Sequence, residues 1–185
     1  MIETALLEAD DKMERSIGAL RNEFSKIRSG RANPELFTTL LVDYYGAPTP
    51  LQQLASVTVP EARMIIISPY DRSAMKDIER AIQEADLGVN PTDDGQVLRI
   101  NLPALTEERR KEYVKLARSK AEDARISIRG IRRKAKEELE RIKKDGDAGE
   151  DEVERGEKEL EAVTKRFTDQ VDELLEGKET DLMEI

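Results

Sequence analysis

The chain has 185 residues, of which 38% are charged and only 4% aromatic, with a formal net charge of −9 and neither histidine nor cysteine. Lacking those two residue types, it cannot build a Ser-His-Asp triad, a Cys-His pair, a disulfide framework or an ordinary zinc site. No residue pattern points to a catalytic group or a metal ligand set, and this composition suits long solvated helices better than a thick globular core. The net charge hides a segregation. Residues 1–29 sum to −1, 30–106 to −4, 107–144 to +7 and 145–185 to −11. One basic segment in an acidic chain implies a localised anion-binding face. The start, MIETALLEADDKMER, lacks the basic and apolar regions of a secretory signal, and no stretch approaches 18 apolar residues. A cytoplasmic location is therefore expected.

In chain order, residues 2–28 read as a helix. Met13, Ile17, Leu20, Phe24 and Ile27 recur at alternating spacings of four and three, a heptad seam. Gly30 offers a stop, and Asn33-Pro34 blocks continuation. From 36 to 103 the character changes. LFTTLLVDYY is strand-like and GAPTP breaks it. ASVTV and ARMIII predict two short strands separated by Pro60-Glu61. Residues 73–86 predict a helix with Ile78, Ala81, Ile82 and Ala85 apolar. Asn90-Pro91 and Asp93-Asp94-Gly95 read as turns, and VLRINL as a strand.

Thr106 can cap a new helix, with Glu107 and Glu108 favourable in its first turn. No proline interrupts the chain from there to Lys144, a span of roughly 57 Å if helical at about 1.5 Å per residue. Val114, Ala117, Ala121, Ala124, Ile128, Ile131, Ala135 and Ile142 mark its apolar stripe. A loop at 145–149 leads to a last helix, from about Asp151 to Gly177, with Val153, Leu160, Val163, Phe167, Val171 and Leu174 on one side. Each long helix has one apolar side and is unstable alone, so the three should pack together. The expected fold class is α+β: residues 1–30 and 105–185 form a long three-helix bundle, and residues 31–104 form a small inserted β/α/β sandwich domain. Gly30, Arg31, Pro103, Ala104 and Leu105, at the two chain crossings, would supply a hinge. A self-contained three-helix core favours a monomer.

The middle helix carries the main candidate site. At about 100° per residue, Arg118, Arg125, Arg129, Arg132 and Lys136 fall within a sector of about 60°, roughly 90° from the apolar stripe. Lys111 and Lys143 extend the line. The planar guanidinium fork matches phosphate oxygens, so a straight row of them fits a nucleic-acid backbone. No aromatics interleave, so the row would grip phosphate without reading sequence. The competing reading is a solvated face held by ion pairs within the helix, or by the acidic third helix lying beside the basic second one. Tyr44-Tyr45-Gly46 is either an exposed contact patch or a strand end before a turn. Asp93-Asp94-Gly95 lacks the closing glutamate of a calcium loop and reads as a turn. Asp71, Asp77 and Glu79 read as helix-start acids rather than cation ligands.

Several long segments resemble the ribosome recycling factor family. They are RSGRANPELF (28–37), VDYYGAPTPLQQLASVTVPEAR (42–63), DLGVNPTDDGQVLRINLPALTEERRKEYVK (86–115), AEDARISIRGIRRKA (121–135) and KETDLMEI (178–185). The resemblance implies an L-shaped protein that is not an enzyme and carries no cofactor, GTP being used by its partner, elongation factor G. It implies a role after termination: binding the bacterial ribosome, chiefly large-subunit ribosomal RNA, and promoting subunit separation. By position it implies RNA contacts by Arg28, Arg31, Arg110, Arg129, Arg132 and Arg133. Arg129 and Arg132 also belong to the stripe.

Overall fold

Heptad spacing puts Ala5, Ala9, Met13, Ile17, Leu20 and Phe24 on one side of helix α1 (Ile2–Lys26), and all six are buried in the computed structural model, which describes residues 1–184. The helix ends before Gly30, where Ile27 turns extended. The Ile27 carbonyl accepts a hydrogen bond from Lys178 Nζ at 2.7 Å. Lys178 is half-buried, and desolvation lowers its pKa.

The described chain divides into two compact units, Met1–Ile27 with Arg110–Met183, and Arg28–Arg109 with Glu184. The first is a three-helix bundle of α1 with two long helices, which we label α5 (Glu107–Lys144) and α6 (Glu150–Met183). Cross-helix contacts give their directions. Ser16 and Ser127 share a hydrogen bond at 2.9 Å and Glu23 meets Lys120 at 3.5 Å, so α1 and α5 are antiparallel. Asp10 accepts from Arg166 at 2.7 Å while Ile27 meets Lys178, so α1 and α6 are parallel. A Cβ on Gly156 would lie 2.8 Å from Ile2 Cγ2, so glycine there lets the start of α1 close on α6.

The core opposes small residues to large ones, which fills space without voids. Helix α5 contributes Ala117, Ala121, Ala124 and Ala135, whereas α1 and α6 supply Met13, Ile17 and Phe167. Val114 and Ile131 of the expected stripe are only partly buried, and Leu139, outside it, is fully buried. Helix α6 passes through Gly177 to Met183 because Leu182 is fully buried. That burial is worth about 1.5–3 kcal/mol, against about 1 kcal/mol for a glycine inside a helix.

The second unit departs from its local sequence signals more often. Residues 36–38 lie in a short helix, α2 (Glu35–Thr38), opened by Asn33 Oδ1 accepting the Glu35 N–H at 3.0 Å. The strand signal survives only in β1 (Leu41–Tyr44). GAPTP does not end the sheet. Tyr45 and Gly46, with φ of 51° and 80°, make the two-residue turn, and Ala47–Pro50 returns as β2, antiparallel to β1. Positive φ at both positions is the hairpin geometry that matches strand twist. Prolines are tolerated in β2 because it pairs on one side only.

After α3 (Leu51–Leu54), strand β3 (Ala55–Glu61) runs through Pro60 with a register shift between Thr58 and Glu61. Strand β4 (Met64–Pro69), a 3-10 turn at Arg72–Ala74, α4 (Met75–Glu84), β5 (Pro91–Asp93) and β6 (Leu98–Asn101) follow. The four-stranded sheet is antiparallel in the order β3-β4-β6-β5. Pro91, read as part of a turn, starts the edge strand β5, a position that needs no ladder donor. Alternation sends Ile65, Ile67, Leu98 and Ile100 into one cluster with Met75, Ile78 and Ile82 of α4 and with Phe37, Val42 and Leu51.

Candidate nucleic-acid interface

Thr106 caps α5 as its sequence position suggests, its Oγ1 accepting the Arg109 N–H at 3.1 Å. Unbroken helix from there to Lys144 lines up the cations. From Arg118 to Lys136 the row extends about 27 Å at 1.5 Å per residue. Helix geometry therefore brings Arg118, Arg125, Arg129, Arg132 and Lys136 together on one flank of the bundle.

That flank is not a bare cationic surface. Arg118 Nε donates to Glu179 at 2.6 Å, Arg125 Nη2 to Asp172 at 2.6 Å and Arg132 Nε to Glu161 at 2.7 Å. All three acceptors are on α6. Arg129 Nη2 instead reaches Glu122 on its own helix at 2.8 Å, and Arg125 Nη1 shares that carboxylate at 3.3 Å. Both pairing schemes raised by the sequence are therefore present. The bonds to Arg129 and then Arg125 hold Glu122 below the usual carboxylate pKa. Arg125 is the most enclosed of the four arginines, with 25% of its side chain exposed, and its bond to Asp172 raises its pKa further. Arg132 is 38% exposed and held by Glu161.

The remaining candidates are spread more widely. Arg133 and Lys136 are exposed, and neither has an ion-pair partner among the described residues. Arg133 borders a groove of about 820 Å³ between α1 and α5, with Lys12, Lys134, Glu8 and Glu138 on its rim and Ala5, Ala9 and Gly130 among its lining. Lys12 and Lys134 were not singled out by the stripe, because Lys12 is on α1 and Lys134 lies toward it. Only the packing of α1 against α5 marks them. Arg110, in the first turn of α5, has a buried Nε without a hydrogen-bond partner. Arg28 and Arg31 belong to the β-rich unit. Arg28 Nη2 donates to the Pro103 carbonyl, its own Nε is buried without a partner, and Arg31 pairs with Glu184.

The expected hinge residues Gly30, Arg31, Pro103, Ala104 and Leu105 all fall in the β-rich unit. The segments beside them are tied to its sheet. Ala32 N–H donates to the Ala62 carbonyl at 2.6 Å and Leu102 N–H to the Arg63 carbonyl at 2.8 Å.

The weaker sequence features are accounted for by local structure. Tyr45 is 81% exposed at its hairpin turn, and Tyr44 donates its hydroxyl to Asp71 at 3.1 Å. Asp71 accepts the Ser73 N–H, which lowers its pKa. Asp93 and Asp94 accept backbone N–H groups of Gly95, Gln96 and Val97, as turn-forming acids do. Among the described residues no group of three or more acids is placed to hold a metal ion, and no helix is long and apolar enough to cross a membrane.

The fold and the arginine row together define a class: a helical-bundle protein presenting a straight array of phosphate-compatible cations, with a small sheet-and-helix unit inserted in its chain. Comparison with known proteins narrows that class. The family model described as ribosome recycling factor matches residues 20–183, and the chain belongs to that family. The ribosome-recycling factors of Kineococcus radiotolerans and Beutenbergia cavernae are each 62% identical to it, over 100% of both chains. A solution structure of the ribosome recycling factor is similar with a TM-score of 0.83 at 38% identity, covering 100% of this chain and 98% of that one. The Thermus thermophilus factor, placed with Escherichia coli elongation factor G on the E. coli post-termination complex, is similar with a TM-score of 0.68 at 41% identity over both full chains.

Proposed function

We propose that this chain recycles bacterial ribosomes after termination, docking on large-subunit ribosomal RNA through its bundle and acting with elongation factor G to separate the subunits. Full-length identity of 62% to ribosome-recycling factors carries this reading. In it the chain works in the cytoplasm, catalyses nothing and holds no cofactor, and GTP is hydrolysed by the partner. The bundle supplies an extended helical surface whose arginines meet phosphate oxygens, the group that supplies most of the affinity for nucleic acid. The pairs on α5 and α6 divide those arginines by readiness. Arg133 and Lys136 can meet phosphate at once, whereas Arg118, Arg125 and Arg132 must first exchange a carboxylate.

The test is light scattering of post-termination ribosomes mixed with the chain, elongation factor G and GTP. Subunit separation that requires the chain is expected, and its failure with an active elongation factor G overturns the reading. Ribosome binding across a salt series sharpens it. Each phosphate contact adds roughly 0.7–0.9 to the log–log slope. Arg133→Ala should lose one such increment and weaken binding more than Arg132→Ala, because Arg132 gives up Glu161 to bind. Equal loss in both variants, or none, would contradict this division.

A further inference from the structure

Of the three arginine pairs between α5 and α6, two follow one heptad register and the third departs from it by one turn. Seven residues up α5, from Arg118 to Arg125, correspond to seven down α6, from Glu179 to Asp172. The next heptad step on α6 reaches Lys165, which pairs with Asp169, and Arg132 takes Glu161 one turn further on. Each carboxylate places an anionic oxygen on a guanidinium edge that a phosphate oxygen would also use, Nε and Nη2 of Arg125 and of Arg132 converging on one such oxygen. Sixteen acidic residues crowd the segment 145–185, yet those facing the arginine row are spaced to it.

Resting on the functional reading above, we infer that Glu161, Asp172 and Glu179 are specificity-determining residues that occupy the phosphate positions of Arg118, Arg125 and Arg132 and so screen the row against non-cognate RNA. A flexible single strand offers one phosphate at a time and gains little by displacing a tethered carboxylate. A folded RNA surface that meets several guanidiniums together, along with the unpaired Arg133 and Lys136, can displace all three. Exposed ion pairs are individually weak, each worth at most about a fivefold change in binding. Three together amount to a barrier of up to about a hundredfold. The screen costs the protein little stability for the same reason.

The experiment compares wild type with the triple variant Glu161→Gln, Asp172→Asn, Glu179→Gln for binding to poly(U) and to purified ribosomes in the same salt series. A second triple variant, Glu154→Gln, Glu173→Gln, Glu176→Gln, makes the same change in net charge at α6 acids outside these pairs. The first variant should bind poly(U) at least about tenfold more tightly than wild type, with a salt slope steeper by about 2, three contacts at roughly 0.7 each for a single strand. The second should change poly(U) binding no more than about twofold. Equal gains in both variants would reduce the effect to net charge and overturn the inference, as would no gain in the first while its helix content and Tm hold. If the first variant loses helix content, Asp172→Asn alone must raise poly(U) affinity by up to about fivefold, and no rise overturns the inference. Failure of the functional reading is separate: it shows as absence of ribosome binding by wild type.

Discussion

The bundle and the β-rich unit place many of their polar contacts at different ranges. In the bundle several side chains reach between helices: Arg118 to Glu179, Arg125 to Asp172, Arg166 to Asp10 and Lys178 to the Ile27 carbonyl. In the β-rich unit several acids bond within a few residues: Asp71 to Ser73, Asp93 to Gly95 and Asp94 to Gln96, Val97 and Arg99. Long rods packed side by side bring distant residues together repeatedly, so one axial setting serves several pairs. A small sheet with tight connections instead needs its turns capped on the spot. The bundle's electrostatics are therefore adjustable by pairwise exchange across its flank, whereas those of the smaller unit serve mainly to fix its turns.

The largest test of this contrast is at the two cores, which share no residue. Phe167→Ala should cost about 3–5 kcal/mol and Ile67→Ala about 2–5 kcal/mol, since both side chains are fully buried. Hydrogen exchange should show each variant loosening the unit that contains it, and equal loosening of both units by Ile67→Ala would break the comparison. A smaller effect is expected at Thr106, where alanine removes the cap of α5 and costs about 1 kcal/mol. The readout is the urea midpoint, with exchange rising first at Arg109.

The smallest effect is a pH dependence in the β-rich unit. The backbone N–H groups of Val97 and Gln96, followed by Arg99, hold the pKa of Asp94 below its ordinary value. A depressed folded pKa contributes stability above the unfolded value, about pH 4, that is lost as pH falls through the folded one. The Tm difference between wild type and Asp94→Ala should accordingly be greatest near neutral pH and close on acidification below about pH 4. A difference that persists unchanged at pH 2 would remove the carboxylate from the account.

The sequence disclosed most where one element decides its own geometry. The α1 seam from Met13 to Ile27 is buried as its spacing indicates, Thr106 caps α5, and the long helix runs uninterrupted from Glu107 to Lys144. It disclosed least where a distant partner overrides a local signal. Gly177 reads as a stop, yet Leu182 has a core position beyond it. GAPTP reads as a breaker, yet it pairs with β1 along Leu41 to Tyr44. The candidate site divides in the same way. Lining up the arginines needs only the helical period and was legible. Their ownership by Glu161, Asp172 and Glu179 needs the register between α5 and α6, and no single helix contains it. The seven-residue spacings of Arg118, Arg125 and Arg132, and of Asp172 and Glu179, were the available signal.

That register has a mechanical reading as well. An apolar seam that repeats every seven residues is nearly indifferent to sliding by one heptad, so burial alone would leave α6 free to settle at more than one axial setting along α5. The charges are not indifferent. Sliding α6 by seven residues in one direction would set Lys165 against Arg125, replacing attraction with repulsion there, while Arg132 would exchange Glu161 for Glu154. Of these heptad settings only the observed one gives all three arginines a carboxylate, as marks agree on a vernier scale. The pairs that cover the arginines thus also keep the bundle in step along its length.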